Sequence, residues 1–209
     1  MTSYSSTDHH LVSPDRLVTF IDGVFAVALT LLVLDLRLPS GTSDLPRALR
    51  EMLPAFLVYL IVFASVAGYW IIHHLSFRHI AYCDGRLVVL SLVNLLFVTL
   101  FPLTASIVGA HPLEPLATAC LSANSLLYCL SAWAVWSYAA GHRRLLAEGA
   151  ELRYLQREAR IMALVGTCLV LAIPLAYLNV YLAYVDWVVC VPLVSWIGGR
   201  LYEKKDDRK

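Results

Sequence analysis

Charge is scarce in this 209-residue sequence: Asp, Glu, Lys and Arg make up 15% of it, where about 25% is usual for soluble proteins. The formal net charge is +1, which gives no reason to expect nucleic acid as a partner. Cysteine is sparse and unpaired in pattern. The five cysteines sit at 83, 120, 129, 168 and 190, the count is odd, and no Cys-x-x-Cys occurs. All but Cys83 lie in apolar runs. They read as buried thiols acting as small hydrophobes, with neither a disulfide framework nor a metal site behind them. Internal repeats and low-complexity tracts are also missing, and the apolar runs do not divide into two copies of three, which gives an inverted-repeat transporter no support. What the chain has in excess is apolar side chain, 59% of all residues, more than a soluble domain of this size can hide. Disorder is excluded on the same ground. The composition describes an integral membrane protein with membrane lipid around it and little mass outside the bilayer.

A hydrocarbon core of about 30 Å needs about 20 helical residues, and six stretches meet that need. They run over about 14–36, 54–77, 87–108, 113–140, 161–178 and 181–201. Ser13, Pro14 and Asp15 read as an N-cap, a first-turn proline and a first-turn acid, and Pro39-Ser40-Gly41 follows the first run. That run has span length and further apolar runs follow it, so it is not expected to be a cleaved signal peptide. Continuous runs of this length exclude a β-barrel. The expected fold is all-α with six transmembrane helices. A short arm (1–13), a membrane domain (14–201) and a short tail (202–209) make up the domain plan. With the N-terminus inside, inner segments hold thirteen of the sixteen Lys and Arg residues, which places both termini in the cytoplasm of a plasma-membrane protein. The segment 141–160 carries Leu145, Leu146, Leu152 and Leu155 among charges and is expected to form a short helix at the inner interface.

The first span carries the polar chemistry. Phe20, Gly23, Val27, Thr30 and Leu34 are spaced 3, 4, 3, 4 and fall on one helix face about 80° wide. Asp22 lies about 140° around the helix from Val27. Taken alone, such a stripe reads as helix packing ahead of pore lining. Thr30 is expected to bond back to the carbonyl four residues earlier, that of Ala26. An intramembrane carboxylate such as Asp22 must meet a partner or water, and because it points away from the stripe it reads as a hydrogen-bond anchor between helices ahead of an ion or proton site. Trp70, His73, His74 and Phe77 close the second span, and Asn94 lies about two turns into the third. Asp22, His73 and Asn94 therefore share a depth, which suggests one interhelical network with Asp22 accepting and His73 and Asn94 donating. Arg16 can snorkel toward it. A haem on His73 and His74 is not supported, since adjacent residues point about 100° apart and no other span offers a matching histidine. No cofactor is expected. An enzyme is not expected either, because no Ser/His/Asp or metal-spaced cluster faces a common cavity.

These residues resemble a known family. Arg16-x-x-x-Phe20-Ile21-Asp22-Gly23 is similar to the Arg-x-x-x-Phe-Ser-Asp signature opening the first helix of the transmembrane protein 175 family. Trp70-x-x-His73-His74-x-x-Phe77, Asp84, Asn94-Leu95-Leu96-Phe97 and Phe101-Pro102-Leu103-Thr104 resemble the second and third helices of its prokaryotic members. The likeness covers about residues 14–106 and is only hydropathic beyond. It implies a potassium-permeable channel, a homotetramer whose first helices line a central pore. It further implies that Val27 forms the constriction, that Thr30 meets permeating K+ and sets potassium preference, and that Leu34 adds a second apolar layer. Arg16, Phe20, Asp22, Gly23, Trp70, His73 and Asn94 would form the supporting network. One departure stands out: Ile21 replaces the signature serine, so a network hydroxyl is missing. Val27 is also smaller than the usual Leu or Ile of that layer.

The implied mechanism is a hydrophobic gate. Rings of Val27 and Leu34 would oppose ions by dewetting, with Thr30 hydroxyls the only side-chain oxygens at that level. The chain has no Thr-Val-Gly-Tyr-Gly filter and no Arg-rich helix, so selectivity should be modest and voltage dependence shallow. Two rivals remain: a proton or cation transporter using Asp22 and His73 as a relay, and a structural membrane subunit without transport.

Overall fold

The computed structural model describes residues 13–36 and 44–196, and these are helical nearly throughout. The helices are α1 (Asp15–Leu31), α2 (Leu45–Phe77), α3 (Gly85–Thr99), α4 (Phe101–Ala110), α5 (Pro115–Gly141), α6 (Leu152–Leu178) and α7 (Val180–Val185). Short 3₁₀ turns extend α1 over Leu32–Asp35 and follow α5 at Arg143–Leu145, and a π-helical turn, Asp186–Cys190, continues α7. Five helices are long and apolar enough to span a bilayer: α1 with its 3₁₀ extension, α2, α3 joined to α4, α5 and α6. The sixth expected span is present as a shorter apolar helix, Val180–Trp196. Its expected end at Leu201, the N-terminal arm, the Pro39-Ser40-Gly41 turn and the tail lie outside the described residues.

Local chemistry sets the helix starts. The Asp44 side chain accepts from Arg47 N at 3.3 Å and Asp84 from Leu87 N at 2.9 Å, each filling an orphan donor of the first turn. Asn179 does the same for Tyr181 N at 2.9 Å. Pro115 opens α5, where a missing N–H costs nothing. At α1 the Ser13 hydroxyl instead engages the Asp15 carboxylate at 2.6 Å, and Pro14 occupies the cap position.

Three boundaries differ from the sequence reading. Helix α2 begins at Leu45, so Pro54 sits inside it instead of starting it. The third span is broken at Leu100, because Pro102 has no N–H to continue the ladder. No separate interfacial helix forms over 141–160. Its second half is the start of α6, since Leu155 is completely buried and Glu158 nearly so, and the core extends to that depth.

The first half of the same loop pairs with the loop between α2 and α3. Ala81 N and Tyr82 N donate to Leu145 O at 2.8 and 3.2 Å, and Ala147 N donates to His79 O at 3.0 Å. The core draws on α1 to α6, with Phe25, Leu87, Phe101, Trp136, Leu145 and Leu155 fully enclosed.

Candidate functional site: the uncovered face of the first helix

Helix α1 splits into two faces. Ile21, Phe25, Ala28 and Leu32 are buried against the core. The opposite stripe is open: Phe20 is 56% exposed, Val27 57% and Leu34 60%. Gly23 and Thr30 are exposed with them, and a Cβ placed on Gly23 would meet no atom within 4 Å. An apolar hollow of about 490 Å³ runs along this face, lined by Phe20, Gly23, Val27 and Leu31 together with Thr99 of α3. The Thr30 hydroxyl donates to Val27 O at 2.8 Å, three residues back and not to Ala26 as expected. Its proton is thereby held on the helix, and its oxygen stays able to accept.

The single network expected at the inner depth is divided. Trp70 Nε1 donates to Asp22 Oδ1 at 2.9 Å, joining α2 to α1. Asn94 turns away from Asp22 and donates to Tyr128 O at 3.2 Å and Ser131 Oγ at 2.8 Å on α5. His73 is 3% exposed and enclosed by rings, with Phe77 at 4.5 Å, Trp136 at 5.5 Å and Phe25 at 6.0 Å between centroids. Its Nδ1 has no hydrogen-bond partner among the described residues. His74 lies against Trp70 at 5.5 Å and meets Arg78 at 3.3 Å. Arg16 is exposed and makes no ion pair with Asp22. Equal depth did not bring these groups together, because their positions around each helix axis differ.

Two polar residues make contacts that the sequence did not assign to them. Asn124 of α5 donates to Phe97 O at 3.2 Å, reciprocating the reach of Asn94 from α3, so the two amides clasp α3 to α5 beside the break at Leu100. Asp84 is the second. It is 6% exposed and accepts from Leu87 N, from the Tyr138 hydroxyl at 2.8 Å and from Arg144 at 3.0 Å. Burial works to raise this carboxyl, but those donors and the guanidinium charge outweigh it and hold it below the usual carboxylate range. The neighbouring Cys83 thiol is pushed up to about 11 by burial and by the Asp84 charge, which leaves it protonated and unreactive. The signal for Asp84 was its place just before an apolar run, where an acid caps a helix.

Fold and site together define a multi-span α-helical membrane protein whose first helix keeps one apolar face outside its own core. Residues 16–102 match the family described as the endosomal/lysosomal potassium channel TMEM175. A protein of Chamaesiphon minutus named as a potassium channel is 32% identical over 143 residues, 65% of this chain and 70% of that one. One from Streptomyces collinus, also named as a potassium channel, is 37% identical over 89 residues, 42% of this chain and 43% of that protein. The match thus spans most of the first relative and under half of the second. Among solved structures, a lysosomal potassium-selective channel TMEM175 homolog from Chamaesiphon minutus superposes with a TM-score of 0.77 at 24% identity, covering 88% of this chain and 97% of that one. The chain belongs to the TMEM175 family.

Proposed function

We propose that this protein is a potassium-permeable, modestly selective channel in which four copies surround a pore lined by α1. The observation that carries the reading is the open stripe Phe20–Gly23–Val27–Thr30–Leu34, an apolar helix face directed away from the subunit's own core. Phe20 and Val27 stay more than half exposed in the single subunit, and a ring of subunits would turn the face into a bore. Val27 and Leu34 then form hydrophobic rings that hinder an ion by refusing it solvation. Thr30 supplies oxygen between them. Because its hydroxyl proton is donated to Val27 O, the oxygen presents lone pairs to a partly dehydrated K+. The relatives named as potassium channels support the same ion.

The arm, a membrane unit over 14–201 and the tail form one subunit with both ends cytoplasmic, in the cell membrane, on the strength of the Lys and Arg distribution. A relay through Asp22 and His73 finds less support. Asp22 is bonded to Trp70, and His73 sits behind three aromatic rings with no bond to Asp22. The test is planar-bilayer recording of the purified protein. Discrete potassium currents are expected. Saturable, coupled flux without unitary steps would favour a transporter, and no flux would favour a structural subunit.

A further inference from the structure

We propose that the paired loops joining α2 to α3 and α5 to α6 form a docking surface for anionic phospholipid headgroups. The backbone bonds from Ala81, Tyr82 and Ala147 across these loops bring sequence-distant segments to one edge of the molecule. Arg86 and Arg143 are both exposed there. Arg86 is close enough to Tyr138 for its charge to be felt at the phenol, so it flanks the Asp84 cluster. Asp84 is the buried acid of that cluster, and its oxygens are already taken by Leu87 N, Tyr138 and Arg144. Neither Arg86 nor Arg143 makes an ion pair among the described residues. Two uncompensated guanidiniums therefore remain beside a third that is neutralised.

Depth selects the partner. Arg86 lies in the first turn of α3 and Arg143 just beyond the end of α5, so both stand where a bilayer places phosphates. Tyr82, 51% exposed in the same loop, has the amphipathic ring that favours this level. A guanidinium fork matches a phosphate in two hydrogen bonds, and a net negative headgroup adds the field that a zwitterion lacks. The surface needs the chain to sit in a membrane, not to conduct, so its failure would leave the channel reading standing.

The test follows the melting temperature of the detergent-solubilised protein titrated with phosphatidylglycerol or phosphatidylcholine. Phosphatidylglycerol is expected to stabilise at lower concentration. Arg86→Gln with Arg143→Gln is expected to weaken that response about fivefold per arginine while leaving the lipid-free melting temperature unchanged. Should the double variant not fold, wild-type protein in about 1 M salt serves instead, and its preference for phosphatidylglycerol is expected to collapse. Equal response to both lipids, a double variant as sensitive as wild type, a preference that persists in high salt, or a shift reproduced by inorganic phosphate would each overturn the proposal.

Discussion

Thr30 shows how much a single hydroxyl can be asked to do. It is the polar member of an otherwise apolar stripe, and its proton is committed to Val27 O. Thr30→Val keeps the bore and removes the oxygen. The expected result is continued conduction with a smaller potassium preference, read as a shift of reversal potential toward zero under potassium/sodium bi-ionic conditions. Trp70 is a different kind of residue, a donor that holds the Asp22 carboxylate at 2.9 Å. Trp70→Phe keeps an aromatic side chain of smaller size and deletes the donor, and is expected to cost about 1–3 kcal/mol, measured as a lower melting temperature. Asp84 gives a pH dependence with a definite sign. Its folded carboxyl is held below the ordinary range, so its contribution is present at neutral pH and lost as pH falls through the folded value. Acid is expected to lower the melting temperature of wild type, and Asp84→Asn to lower it at pH 7 while flattening the acid limb. The stripe was readable from its 3, 4, 3, 4 spacing because that spacing fixes direction around one helix. The Asp22–His73–Asn94 network was misread because sequence fixes depth along a span but not the relative rotation of two spans.

Among the helices, the apolar runs marked five spans by length alone, while the sixth run is a shorter apolar helix over Val180–Trp196. Proline was the weaker guide. Pro54 resembled a helix start yet lies inside α2, while Pro102 does break the third span at Leu100. The difference lies in what surrounds each ring: Asp44 caps α2 upstream of Pro54, whereas the break before Phe101 is flanked by the Asn124 bond to Phe97 O. The inner start of α6 was invisible for another reason. Its charged residues suggested an interface, but Leu155 and Glu158 are enclosed by neighbours that only the folded chain supplies. Where α2 and α4 meet, a Cβ on Gly109 would stand 3.4 Å from the Ala55 Cβ. Gly109→Leu is therefore expected to push the two helices apart and destabilise by about 1–3 kcal/mol, measured by thermal unfolding in detergent. Gly23→Ala, whose Cβ meets nothing within 4 Å in the single subunit, is expected to leave the subunit fold intact.

For the whole molecule, the apolar face of α1 demands a partner. Within one subunit it borders a hollow of about 490 Å³ that, among the described residues, Thr99 of α3 helps to line from outside α1. In the proposed tetramer four such faces would bury one another around an axis and leave a narrow bore, which would account for the open face of α1. The expected particle in detergent is a tetramer, and mass measurement that finds only monomers would remove the pore. The central claim is that Val27 stands in the path of the ion. Single-channel recording of Val27→Ser beside wild type tests it most directly. A hydroxyl in place of two methyl groups would hydrate the constriction, so potassium currents are expected in wild type and a larger unitary conductance in the variant. Unitary conductance unchanged by that substitution would contradict it, because the stripe would then pack against protein and the pore would lie elsewhere.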